Sequence, residues 1–309
     1  MTTERLTERL TERGTGHGAE RATGHGTERG TEPRVGCTVE ADGRITFGLR
    51  LPPAASDARL LIRLRPKKGK PDEGQPGETH HSLALDATED GHHTAVLPTG
   101  TALAEGRWDV YLLDGPDGER RRLRPGLRDL RALVDGHTRD RRAPVAVRIP
   151  YVTKDGFLAV RAWLRDAHAE TAGITAAEGA LTVGARLHGA VFGEGAAVRL
   201  RLRGTRTERS VEPRLADDRQ NFSFTVALAD LVAGTGTETD TGTGSGQRVW
   251  DVFVRPARSA PPVRVARLLD DIADRKDIHV QPAVPVGETV VRPYYTVDND
   301  LAVAVTPAG

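Results

Sequence analysis

This sequence predicts an all-β fold: two tandem antiparallel β-sandwich domains of Ig-like type, related by an internal duplication and preceded by a disordered tail. Three observations predict it. The 309-residue chain repeats itself once, in five blocks that keep their order. Each block alternates apolar and polar residues with period two, as a strand with one buried face does. Glycine (34) and proline (19) are frequent while aromatics make up only 4%, which suits short strands and many turns better than long helices.

The first element is the tail, residues 1–34. It recycles Thr-Glu-Arg and Thr-Gly-His-Gly words and has no Val, Ile, Phe, Trp or Tyr, so it buries too little apolar area to offset its ordering entropy. The first copy spans 35–166 and the second 167–309. Gly43-Arg44-Ile45-Thr46-Phe47-Gly48-Leu49-Arg50-Leu51 matches Gly179-Ala180-Leu181-Thr182-Val183-Gly184-Ala185-Arg186-Leu187 without a gap. Ile62-Arg63-Leu64-Arg65 then matches Leu200-Arg201-Leu202-Arg203, and Trp108-Asp109-Val110 matches Trp250-Asp251-Val252. Arg122 through Leu130 follows the pattern of Arg264 through Ile272. Pro150-Tyr151-Val152-Thr153-Lys154-Asp155-Gly156 closes the first copy as Pro293-Tyr294-Tyr295-Thr296-Val297-Asp298-Asn299 closes the second.

Asp42-Gly43, Asp90-Gly91, Asp155-Gly156 and Glu178-Gly179 fall between strands, where tight hairpins need positive φ. Residues 66–79 and 233–247 are polar, glycine-bearing loops. Leu127, Leu130 and Val134, matched by Leu268, Leu269 and Ile272, have the spacing of a helical turn crossing one end of each sandwich. Trp108 and Trp250 continue apolar strands and belong to the cores.

Charge and composition exclude several functions. Forty-four Lys+Arg balance forty-three Asp+Glu, so no overall basic character argues for nucleic acid. No run of about 18 apolar residues marks a transmembrane helix, and no signal-peptide core opens the chain. A single cysteine, Cys37, forms no internal disulfide, and it reads as a structural residue. The chain is therefore expected to be soluble and in the cytoplasm, with a peripheral position at the inner face of the membrane left open. Phosphate-loop and nucleophile-elbow motifs are lacking, and neither a catalytic residue nor a cofactor is indicated.

Asp298-Asn299-Asp300 spells the Asp-x-Asp pair of a metal-dependent glycosyltransferase, but the repeat places it on a hairpin turn. The doublets His80-His81 and His92-His93 are too far apart along their strands to share an ion, so no metal site is assigned. Two groups remain as ligand-binding candidates. Tyr151 and Tyr294, each after a proline and before a turn, offer exposed rings, with Tyr295 beside them. Arg120, Arg121 and Arg122 form the densest cationic run, suited to paired hydrogen bonds with phosphate.

The segment Val290-Val291-Arg292-Pro293-Tyr294-Tyr295-Thr296-Val297-Asp298-Asn299-Asp300-Leu301, with Ala266 through Lys276 before it, resembles the β-rich C-terminal region of actinobacterial cell-wall transferases. These are the glycosyltransferases and CDP-glycerol glycerophosphotransferases of teichoic-acid-type polymers. The resemblance is closest over residues 265–309 and looser in the first copy. In that family the chemistry resides in a separate nucleotide-binding domain, which this sequence lacks. The resemblance thus implies an accessory binding module, with a cell-envelope transferase or an anionic or carbohydrate polymer as partner. A transferase with its site assembled between the two copies is the alternative, and an interaction domain without a ligand is the third reading.

Overall fold

The structure, a computed structural model, describes residues 33–51, 57–66, 79–88, 91–115, 118–135, 143–233 and 246–309. The tail up to residue 32, Asp90 and most of the two expected loops lie outside the described residues. Arg34, placed at the end of the tail by composition, already belongs to the first strand.

The first half runs β1 (Arg34–Val39), β2 (Ile45–Arg50), β3 (Arg59–Leu64), β4 (His80–Ala84), β5 (Asp86–Ala87), β6 (His92–Leu97) and β7 (Gly106–Leu113). It continues through β8 (Arg120–Arg122), β9 (Arg124–Asp129), α1 (Arg131–Val134), β10 (Val145–Val152) and β11 (Leu158–Arg165). The second half opens with β12 (His168–Ala177), β13 (Ala180–His188), β14 (Ala197–Leu202), β15 (Glu208–Val211), β16 (Arg214–Leu215) and β17 (Asn221–Ala227). After α2 (Leu228–Ala233) come β18 (Arg248–Arg255), β19 (Val263–Ala266), β20 (Val284–Val286), β21 (Thr289–Tyr295) and β22 (Leu301–Pro307). Asp166 and Ala167 alone link β11 to β12.

The all-β class follows from the alternation. On β2, Ile45, Phe47 and Leu49 turn inward between exposed or half-buried Thr46, Gly48 and Arg50, and Leu181, Val183, Ala185 and Leu187 repeat this on β13. Burying each large side chain contributes about 1.5–3 kcal/mol, which is why the register is specified: a slip of one residue would turn every one of them to water.

In the first half one sheet has the order β5-β6-β2-β1-β9 and the other β10-β11-β7-β3-β4, with β8 on the far part of β7. In the second half the neighbours run β16-β17-β13-β12-β19 and β20-β21-β22-β18-β14-β15, and β19 belongs to both rows. Strand by strand, the neighbour order of the two halves is the same, except that β19 alone makes the pairings that β8 and β9 share in the first half and that β20 is additional. The pairs are antiparallel except β1 with β9 and β12 with β19, which run parallel. Equivalent turns keep equivalent backbones. Gly156 has φ 79° and Asn299, at the matching position, has φ 61°, a conformation that Gly and Asn tolerate better than other residues.

Each half has its own apolar core, centred on Trp108 in one and Trp250 in the other, and both indoles are fully buried. A buried indole N–H needs an acceptor. Trp108 donates to the Ala104 carbonyl at 2.9 Å and Trp250 to the Leu231 carbonyl on α2 at 3.1 Å.

The expected helical turns differ from what forms. Leu127 lies on β9 and is 86% exposed, and α1 begins only at Arg131. Residues 267–275 form no helix, because carboxylates take up the backbone donors there. Glu170 accepts the N–H groups of Leu268 and Leu269 at 2.8 and 3.1 Å, and Asp270 accepts that of Ile272 at 3.0 Å. Leu268, Leu269 and Ala273 are thereby held in the core of the first half. Among the described residues no helix is long and apolar enough to cross a membrane.

Candidate functional site

The aspartate of each Trp-Asp-Val block lies between two guanidiniums. Arg65 binds Asp109 with two bonds, 2.6 and 3.1 Å, and Arg122 adds a third at 3.1 Å. In the second half Arg203 binds Asp251 at 2.6 and 3.3 Å, and Arg264 stands 3.3 Å away. Beside each clasp stands a tyrosine, Tyr151 on β10 and Tyr294 on β21, both half-buried. Burial pushes both phenols above the usual 10.0, and Arg203 draws Tyr294 part of the way back, so each ring carries its proton at neutral pH.

These placements sort the sequence candidates. Tyr294 faces outward, and Tyr295, the next residue, is 1% exposed in the second core. Neighbours on a strand point to opposite faces, so the two cannot serve one ligand surface. Arg122 is bound to Asp109 and stacks 4.3 Å from the Phe157 centroid, whereas Arg120 and Arg121 are exposed on β8, Arg121 meeting Asp114 at 3.1 Å. Asp298 is bound by Arg161 at 2.5 Å, and Asp300 by Arg165 and Arg264 at 3.1 and 3.2 Å. The Asp-x-Asp carboxylates therefore face three guanidiniums. His81 packs on Trp108 and His92 accepts from Arg50, and these two histidines belong to different sheets. Cys37 is buried, and that burial pushes its thiol up to about 11.

The outer faces of the two terminal strand pairs differ sharply. On β10 and β11 the facing pairs are Val147 with Trp163, Ile149 with Arg161 and Tyr151 with Ala159. Val147, Ile149, Arg161 and Trp163 are all buried, for this is where the second half is seated. On β21 and β22 the equivalent pairs are Val290 with Thr306, Arg292 with Ala304 and Tyr294 with Ala302. Here Arg292 is exposed, Val290, Tyr294 and Thr306 are half-buried and Ala302 and Ala304 are buried, and the face floors a groove of about 480 Å³.

The groove is walled by Arg203 from the end of β14, by Lys276, His279 and Gln281 from the β19–β20 connection, and by Arg292, Tyr294 and Thr306 from the floor. Among the described residues no carboxylate lines it. Burial and the nearby Arg275 and Arg267 hold His279 below its usual 6.5, leaving Arg203, Lys276 and Arg292 as the cations of the wall. Arg203 is already engaged by Asp251, so the charge open to a ligand is that of Lys276 and Arg292. Both are exposed. The β19–β20 wall is held in place by buried Arg275, whose guanidinium donates to Asp270 and the Arg267 carbonyl and whose backbone N–H donates to the Asn299 side-chain oxygen. Arg292 and Tyr294 were legible as one face of an alternating strand. Lys276 and His279 reach the groove through a connection whose path the alternation does not specify.

No family model matches the chain, and no curated protein matches it. Among solved structures it is similar to a fragment of S. aureus TarS spanning residues 217–571, with TM-score 0.28 and 16% identity over 62% of this chain and 55% of that one. Against the longer S. aureus TarS structure the figures are the same, except that 34% of that chain is covered. The chain thus spans about half of the fragment and a third of the longer chain. A marsupial T cell receptor matches with TM-score 0.28 and 10% identity over 90% of this chain and 92% of that one. At this TM-score the likenesses assign neither fold nor activity.

Proposed function

We propose that the chain is a non-catalytic binding module for cell-envelope polymer synthesis, built from two copies of one sandwich unit, which holds an anionic polymer of teichoic-acid type in the groove on β21 and β22. The carrying observation is the contrast between the two outer faces. Where the first half buries Ile149 under its neighbour, the matching position of the second half is exposed Arg292, in a groove with further cations and, among the described residues, no lining carboxylate. A surface kept open, cationic and hydroxyl-bearing fits a phosphate-bearing polyol chain: guanidinium and ammonium meet phosphate, while Tyr294, Thr306 and Gln281 meet hydroxyls. The resemblance of residues 265–309 to the β-rich region of cell-wall transferases supports the same reading. Exposed Arg120 and Arg121 are the first half's candidates for contact with the same polymer.

Titration calorimetry with poly(glycerol phosphate) tests this. Binding should weaken with salt, by analogy with counterion release from nucleic acids, and the K276Q/R292Q variant should flatten the slope of log K against log salt by about one to two. A neutral glycan bound equally well, or a double variant that binds like wild type, would sink the reading.

A further inference from the structure

The rim of the groove carries exposed aliphatic side chains that binding a soluble polyanion does not call for. Ile278 and Val280, on the β19–β20 connection, are 69% and 71% exposed, and Val297, at the β21–β22 turn, is 45% exposed. Val280 and Val297 line the groove itself, together with Lys276 and Arg292. Three side chains form too small a patch for a stable protein interface, which buries roughly 800 Å² per partner. Aliphatic residues beside cations at one edge instead match the two demands of a bilayer surface, an apolar boundary under a layer of phosphate.

We infer that this rim docks the chain on an anionic membrane, with Ile278, Val280 and Val297 entering the acyl boundary and Lys276 and Arg292 meeting the phosphates of glycerophospholipid headgroups. The inference rests on the groove being an anion site, and it names glycerol phosphate as the chemistry shared by lipid headgroup and polymer. Asp277, the one carboxylate in the run from Lys276 to Gln281, opposes the docking and serves as an internal control.

Co-sedimentation of the full chain with vesicles distinguishes the two sources of glycerol phosphate. Wild type should sediment with phosphatidylcholine vesicles containing phosphatidylglycerol and not with phosphatidylcholine alone. I278S, a neutral change at a side chain outside the groove lining, should lose about tenfold in vesicle affinity, a change of about 1.4 kcal/mol, while binding soluble poly(glycerol phosphate) as wild type does and melting at the same temperature. D277N should bind vesicles more tightly than wild type, and K276Q/R292Q should lose them. A wild type that binds the polymer but neither vesicle overturns the membrane inference and leaves the polymer reading standing. One that binds anionic vesicles but no soluble polymer does the reverse. An I278S variant that sediments like wild type also overturns the inference.

Discussion

Arg161 on β11 donates to the carboxylate of Asp298 at 2.5 Å, tying the outer face of the first half to a hairpin tip of the second. Trp163, two residues on, donates its indole N–H to the Asp298 carbonyl at 3.1 Å. The matching tip of the first half carries Asp155, whose side chain is 75% exposed and reaches Arg122 only at 3.8 Å. Turns of similar sequence thus have different energetic roles, set by what lies opposite.

Removing Asp298 leaves a nearly buried guanidinium unpaired. Because the carboxylate itself is half exposed, solvent screening reduces the loss below that of a fully buried pair. D298N should lower stability by about 1–2 kcal/mol, and D155N should stay within about 0.5. Urea denaturation compares them, and a double-mutant cycle with R161M should return a coupling above about 0.5 kcal/mol. Additive single effects would show that the pair does not hold the halves together.

Tyr294 and Tyr295 are adjacent in sequence and opposite in role. Y295A removes a fully buried ring from the second core and should cost about 3–5 kcal/mol. Y294A should change stability far less and weaken poly(glycerol phosphate) binding severalfold. If the two variants melt together, the register on β21 is wrong.

Among the arginines of β8, Arg122 alone clasps Asp109, whose side chain is largely buried. R122Q should cost about 1–2 kcal/mol, since a charged hydrogen bond to a shielded carboxylate is lost. R120Q/R121Q should cost no more than about 0.5. Thermal melts of the two variants decide this. Reduced polymer binding in R120Q/R121Q at unchanged stability would extend the binding surface to the first half, and unchanged binding would leave these two as a solvated face.

Burial alone would raise the Asp251 carboxyl, but Arg203 and Arg264 outweigh it and hold the group below its ordinary 3.8. The folded state then binds fewer protons than the unfolded chain. The stability this supplies is complete above the ordinary carboxylate value and is lost as pH falls below 3.8 through the folded value. Urea midpoints should therefore drop steeply below about pH 4, and D251N, less stable at neutral pH, should show a shallower acid limb. Parallel acid limbs in wild type and D251N would assign the dependence to other carboxylates.

The strands of this protein were legible because their signal is local. Ile45-Thr46-Phe47-Gly48-Leu49 alternates with a period of two, so strand, face and core membership follow from neighbouring residues, and Asp42-Gly43 or Asp298-Asn299 mark turns by backbone preference. The same alternation separates Tyr294 from Tyr295 and pairs Tyr294 with Arg292. The helical spacing of Leu268, Leu269 and Ile272 was misleading, because Glu170, roughly a hundred residues earlier, supplies the carboxylate that takes the backbone donors of Leu268 and Leu269. Nothing local in residues 267–281 indicates that one end of that stretch enters the first core while the other walls a groove on the second half. Likewise the sequence alone placed both Asp155 and Asp298 on turns between strands. Only tertiary structure decided that one stays largely in water, 3.8 Å from Arg122, and that the other is bound by Arg161, since an ion pair depends on distance across the fold and not on spacing along the chain.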